Sequence, residues 1–391
     1  FTDTIVYRYY CSLVPEVWLR TPINGTDPNP IRLPSDDRFP WIWEKLFAVS
    51  SDDGWRKERW RLLRQGILPA SWTEIGVTPG VVEGGAGWCW TPEMELSSGD
   101  GQVTKLRLRS RRWRDACETV VMRPRRNRAT VCISTQVGCA VGCRFCATGR
   151  MGLVRTLGAI EILEQVLLAR LRVRRWAENA LHEKKAIGRI PRRDAIHLRN
   201  VVFMGMGEPL HNWDALVEAL DFLLEDQGFG FSPRHVTVST AGIPAKMVSL
   251  AQAFPRLRIA LSLHSAIENT RRMLVPRATH DLQSLRESIR AINQIDPEGP
   301  VWLEIALIRG INDSLSEAQA LVDFCKGLSI EINVIPFNDI SHAPSDEARM
   351  SAPSQETRRA YVHHLRENGL FTTLRNTLGG TIQAACGQLI V

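Results

Sequence analysis

The amino-acid pattern predicts an α/β protein, a partial barrel of six βα units with a small N-terminal accessory domain. Three observations carry that reading. From about Val131 onward, short apolar β-rich runs alternate with longer segments of helical period, as repeated βα units with parallel strands require. No strand candidate is followed by a G-x-G-x-x-G turn, which disfavours a flat dinucleotide-binding sheet. Polar residues also cluster just after the strand candidates, on what would be one face of a barrel.

Residues 1–113 read as an N-terminal accessory region with a possible RNA-binding role. Nine of the chain's 12 tryptophans lie at or before Trp113, and the composition changes after it. Helical candidates fall near Trp41–Phe47 and Trp55–Gln65, and a turn at Ser97–Gly101 precedes a strand at Val103–Leu108. Residues 114–391 read as the catalytic core. Its strand candidates are Val131–Val137, Val201–Met204, His235–Ser239, Leu257–Leu263, Val301–Ile308 and Ile332–Ile335. Helical periodicity marks Trp213–Leu224, Leu282–Ile292, Leu315–Lys326 and Glu356–Glu367.

A chain of 391 residues can bury a sizeable core, and no apolar run approaches the roughly 18 residues of a membrane span. The opening Phe1–Cys11 lacks the charged-then-apolar order of an export signal, so a cytoplasmic protein without a membrane partner is expected. The net charge of +7 suits a polyanion. Basic residues bunch at Lys105–Arg114, Arg123–Arg128 and Arg170–Arg193, each readable as a solvated face or as a contact for RNA phosphates.

Four of the nine cysteines, Cys132, Cys139, Cys143 and Cys146, crowd together, which is a metal or redox pattern rather than a disulfide framework. Cys139, Cys143 and Cys146 have the spacing C-x3-C-x2-C. Three thiolates on one loop can hold three irons of a [4Fe–4S] cluster and leave the fourth open to a substrate. Zinc with a fourth ligand from elsewhere is the competing reading. The remaining strand ends carry Gly205–Glu208, Ser239 and Thr240, Ser262 and His264, Asn312 and Asp313, and Asn338.

The stretch from Cys132 to Gly149 closely resembles the RlmN family of dual-specificity RNA methyltransferases within the radical S-adenosylmethionine (SAM) superfamily. So do Phe203–Leu210, Val236–Gly242, Ser262–His264, Gly310–Ser314, Pro336–Asn338 and Ala384–Leu389. These motifs run in order over about residues 97–391. At Leu378–Thr381 the chain departs from the charged run that the family usually carries there.

The resemblance implies a partial (β/α)6 radical SAM barrel, with Cys139, Cys143 and Cys146 holding a [4Fe–4S] cluster. It places Gly207, Glu208, Ser239, Ser262, Leu263, His264 and Asn338 at SAM. Gly207 is expected to let the backbone approach that ligand, and Glu208 to accept from its ammonium. The implied reaction is methylation of C2 of adenosine in 23S rRNA and tRNA. Cys386 takes a methyl group from one SAM, and a second SAM serves to abstract hydrogen from it. The methylene then adds to the ring, Glu118 takes the ring proton, and Cys132 attacks Cys386 to release the product, leaving a disulfide. A flavodoxin-like reductant and a monomeric state are also expected. The alternatives are an adenine C8 methyltransferase of the antibiotic-resistance type and a non-enzymatic zinc-stabilised RNA-binding protein.

Overall fold

The computed structural model describes residues 89–125, 128–185, 196–226, 228–341 and 350–390, with side chains left out at 124–125 and 178–185. The described residues all belong to one compact unit. The helical candidates before residue 66 lie outside them.

Ten strands form one sheet: β1 (Trp90–Ser97), β2 (Val103–Ser110), β3 (Ala116–Arg125), β4 (Arg128–Cys132), β7 (His197–Phe203), β8 (Val236–Thr240), β9 (Arg258–Ser262), β10 (Val301–Leu307), β11 (Ile330–Pro336) and β12 (Thr372–Leu374). β1 to β4 are antiparallel neighbours, and from β4 through β12 every pairing is parallel. The parallel part is the expected partial barrel. Its strands are rich in Val, Ile, Leu and Ala, as in Val301–Leu307, because helices cover the outer face and side chains fill the inner one.

The covering helices are α2 (Ala159–Lys185), α3 (Trp213–Leu224), α4 (Pro244–Ala253), α6 (Leu282–Ile295), α7 (Leu315–Cys325) and α8 (Gln355–Glu367). Shorter α1 (Ala147–Met151) and α5 (Glu268–Leu274) sit in the loops of the site. Caps fix several starts: Asp281 accepts from the Ser284 amide, Ser314 from Glu317 and Ser354 from Thr357. In α6, Leu285, Ile289 and Ile292 face the core at helical spacing.

Three details differ from the sequence expectation. The first barrel strand stops at Cys132, and Gln136–Gly138 forms β5 of a separate antiparallel hairpin with β6 (Leu153–Thr156). The break falls at Ser134, whose backbone is taken over by α2: Gln165 accepts from its amide and donates to its carbonyl. A seventh parallel strand, β12, was missed because it is three residues long. β1 and β2 also join the same sheet as β3 and β4, across the boundary expected at residue 113. The buried carboxylate of Glu164 in α2 secures that join by accepting from the amides of Cys89 and Trp90.

Candidate active site at the barrel mouth

The parallel strands end together, and the loops after them carry the candidate residues. The cysteine loop leaves β5 with Cys139, whose amide donates to the Gly152 carbonyl at 2.8 Å. A tight turn follows, in which the Cys146 amide reaches the Cys143 carbonyl at 3.1 Å, and α1 begins directly after it. Gly149 in α1 presses on this turn: a Cβ there would stand 2.8 Å from both the Cys143 nitrogen and oxygen.

Burial pushes the Cys139 thiol up to about 12, and burial likewise raises Cys143 and Cys146. Cys143 feels both of its companions, so the three sulfurs share one neighbourhood. Among the described residues, no three His, Cys, Asp or Glu side chains are gathered tightly enough to hold a single metal ion. Arg271 sits beside Cys143, buried, donating to the carbonyls of Ser262, Leu263 and Ala241, with its own basicity lowered by burial to about 10. A buried cation there favours thiolate, the form that binds metal.

Glu208, after β7, is 3% exposed, and burial raises its pKa. Its carboxylate accepts from the Leu210 amide at 3.0 Å and the Ala241 amide at 2.7 Å. Each oxygen retains acceptor capacity for a ligand ammonium. Gly207, at φ 100°, packs against Gln136: a Cβ there would stand 2.5 Å from the Gln136 Cβ. Gln136 accepts from the Glu208 amide, and its Nε2 is buried with no hydrogen-bond partner. Ser239 and Ser262, at adjacent strand ends, place their hydroxyls 3.3 Å apart.

Leu263 is fully buried, and His264 follows it at φ 62°. The His264 Nδ1 accepts from the Ala306 amide at 3.1 Å, which puts the ring proton on Nε2. Burial lowers its pKa to about 3, and Phe145 of the cysteine loop meets the ring edge-on at 4.4 Å. Asn312 is a strut: its amide donates to the carbonyls of His264 and Ala306 and accepts from the Ile308 amide.

The C-terminal segment 383–390 closes over this mouth and is held at nearly every residue. Lys105 donates to the Gln383 carbonyl, Asn338 to Cys386, the Ala147 amide to Gly387 and Thr148 to Leu389. Glu118 accepts from the Ile390 amide at 3.1 Å and pairs with Lys105 at 2.9 Å. Asn338 thus grips the Cys386 segment, a contact no sequence pattern announced. Cys386 is exposed, yet the protein around it and the charge of Glu304 raise its thiol to about 11. Cys132 at the end of β4 is buried, and Cys386 is among the groups that raise its pKa. The two are close neighbours and unbonded.

The basic run Lys105–Arg114 divides. Lys105 is 6% exposed and ion-paired to Glu118, and Arg107 and Arg109 pair with Glu93. The tip, Arg111 to Arg114, is exposed, as is Arg109. In α2, Arg172 pairs with Glu95 and Arg170 lies over Phe229 and Phe231.

Residues 133–324 match the radical SAM superfamily. The chain is 40% identical over 274 residues to a "Probable RNA methyltransferase" of Rhodopirellula baltica, covering 70% of this chain and 66% of that one. It is 34% identical over 275 residues to a "Probable dual-specificity RNA methyltransferase RlmN" of Flavobacterium johnsoniae, covering 69% of this chain and 71% of that one. The chain belongs to the RlmN family of radical SAM enzymes. A solved radical SAM methyltransferase from Sphaerobacter thermophilus agrees with the fold, with a TM-score of 0.73, 33% identity, and coverage of 89% of this chain and 96% of that one. The chain spans just under two thirds of the Rhodopirellula relative. Radical SAM membership implies a [4Fe–4S] cluster and SAM as cofactors, and the three-thiol loop beside Glu208, His264 and Arg271 fits both. Among the described residues, no helix is long and apolar enough to cross a membrane.

Proposed function

We propose that this chain is an RNA methyltransferase that adds a methyl group to C2 of adenosine, in 23S rRNA and tRNA, by way of Cys386. The observation that carries the reading is the pairing of an exposed Cys386 with a buried Cys132 at the barrel mouth, beside the cysteine loop. When bound, the cluster and SAM supply a transferable methyl group and one-electron hydrogen abstraction. The C2 carbon lies between two electronegative nitrogens and resists methylation as a nucleophile, so the methyl group reaches it through a protein sulfur.

Cys386 accepts the methyl group as a thiolate, at a position open to substrate. Cys139, Cys143 and Cys146 hold the cluster. Gly207, Glu208, Ser239, Ser262, Leu263 and His264 line the SAM side, and Asn338 fixes the Cys386 main chain. Glu118, a buried carboxylate whose pKa burial raises, takes the proton from the ring, and Lys105 balances its charge before that transfer. With the Cys386 methylene bonded to C2, and the one electron left by radical addition taken up by the one-electron chemistry the cofactors would supply, Cys132 attacks the Cys386 sulfur: the S–S bond forms as the sulfur–methylene bond breaks, and the methylene takes a proton to become the methyl group of the freed base. A flavodoxin-like reductant, a monomeric enzyme, cytoplasmic location and RNA docking by residues 1–113 complete the proposal.

The test is to incubate the anaerobically reconstituted enzyme with SAM, reductant and unmodified 23S rRNA, then identify the methylated nucleoside by mass spectrometry. 2-Methyladenosine supports the reading, and 8-methyladenosine overturns it.

A further inference from the structure

We propose that Arg271 is the buried counter-charge of the iron–sulfur cluster, placed to favour its reduction. This deepens the proposed function and rests on its assignment of Cys139, Cys143 and Cys146 to the cluster.

The fold brings Arg271 to the cysteine loop. It lies in α5, after β9, and the end of that helix packs on the loop: the Leu274 carbonyl accepts from the Arg144 amide at 3.1 Å. Leu274 and Val275 are buried together with Cys139, Val141 and Ala147, and Cys143 and Phe145 pack against the same group. Phe145 also meets the ring of His264, which directly follows Ser262 and Leu263, two of the residues whose carbonyls Arg271 holds. The third carbonyl, of Ala241, follows β8. The guanidinium therefore sits where two strand ends meet the cysteine loop, and the Cys143 sulfur feels its charge.

Arg271 is 2% exposed, yet among the described residues no carboxylate pairs with it. Glu268, the acid of the same helix, is engaged by Arg272 and by the Leu282 amide. The Arg271 Nε is buried with no hydrogen-bond partner. Burying a cation without an anion is costly, so a matching anion is expected beside it. Holding carbonyls does not require the charge. Asn312 braces the next strand end, through the carbonyls of His264 and Ala306, with a neutral amide. Nor does another group supply buried positive charge here. Burial lowers His264 to about 3, so it is neutral, while Arg144 and Arg277 are exposed and screened by solvent.

A cluster held by three thiolates is the anion that fits. It becomes more negative on taking up an electron, and a fixed cation in surroundings of low dielectric stabilises that state. Arg271 thus raises the reduction potential and eases the electron transfer on which radical chemistry depends. A carboxylate on SAM is the rival anion. The contacts argue against it, because the guanidinium is committed to backbone carbonyls and its Nε is sealed from solvent, so it acts through its field rather than by gripping a ligand.

The test is a reductive titration of the full chain with its cluster, followed by electron paramagnetic resonance, without RNA and first without SAM. Arg271→Gln should shift the one-electron equilibrium towards the oxidised cluster by about tenfold, a fall of about 59 mV, while Arg271→Lys keeps the charge and stays close to wild type. Iron content is measured for each variant. Loss of the cluster from Arg271→Gln alone also supports the counter-charge, and loss from both variants overturns it in favour of a role in folding. Both variants titrating as wild type does, both falling alike, or a shift that appears only when SAM is added would each overturn it. The titration involves no methyl transfer, so the proposed reaction at adenosine and the role of Arg271 can fail independently.

Discussion

Asn338 holds Cys386 by its main chain: the Asn338 amide nitrogen lies 2.9 Å from the Cys386 carbonyl oxygen, while its own amide oxygen takes the Thr377 hydroxyl at 2.9 Å. Replacing it by Asp removes the donor and sets a carboxylate against a carbonyl. Asn338→Asp should slow methyl transfer to Cys386 by about 10- to 100-fold, since a misplaced nucleophile forfeits orientation. Transfer followed by mass spectrometry at saturating SAM checks this, and an unchanged rate at saturation would limit Asn338 to SAM affinity.

Lys105 and Glu118 are a buried pair, with side chains 7% and 4% exposed, that grips both ends of the Cys386 segment. Removing one partner leaves an uncompensated buried charge, at a cost of about 3–5 kcal/mol. Lys105→Met should therefore lower thermal stability sharply, and Lys105→Met with Glu118→Gln should recover much of it. Melting temperatures of the single and double variants decide the matter.

Gly207 has no room for a methyl group, because a Cβ would meet Gln136 at 2.5 Å in a backbone with φ of 100°. Gly207→Ala should destabilise by about 1–3 kcal/mol and weaken SAM binding as Glu208 shifts. Denaturant unfolding and SAM titration measure the two effects separately.

The raised Cys386 thiol makes its reactivity climb with pH. With the group near 11, the thiolate fraction grows about tenfold per pH unit between pH 7 and 10. Iodoacetamide labelling of the metal-free protein should follow that slope at Cys386 and spare the buried Cys132. A plateau below pH 9 would mean that a neighbouring cation lowers the thiol more than burial raises it.

Much of this was legible in the sequence because the chemistry there is local. The C-x3-C-x2-C spacing places three thiols on one turn, and the strand-end residues Glu208, Ser239, Ser262 and His264 converge as a parallel sheet obliges them to. What escaped depends on distant partners. Nothing near Lys105 says that it is buried against Glu118 rather than exposed to phosphates, because β2 and β3 must pair before the two meet. The packing of Gly207 against Gln136, 71 positions earlier in the chain, likewise depends on the fold bringing them together. The break after Cys132 was hidden because Ile133 and Val137 continue an apolar run, while Gln165, far along in α2, ends the strand.

The most direct measurement of the central claim is a trap. Cys132→Ala enzyme, reconstituted anaerobically, is incubated with SAM, reductant and RNA, and the products are resolved by denaturing gel and peptide mass spectrometry. Without the buried thiol that releases the base, RNA should accumulate covalently attached to the peptide containing Cys386. Free methylated RNA at the wild-type rate, with Cys386 unmodified, would contradict the account.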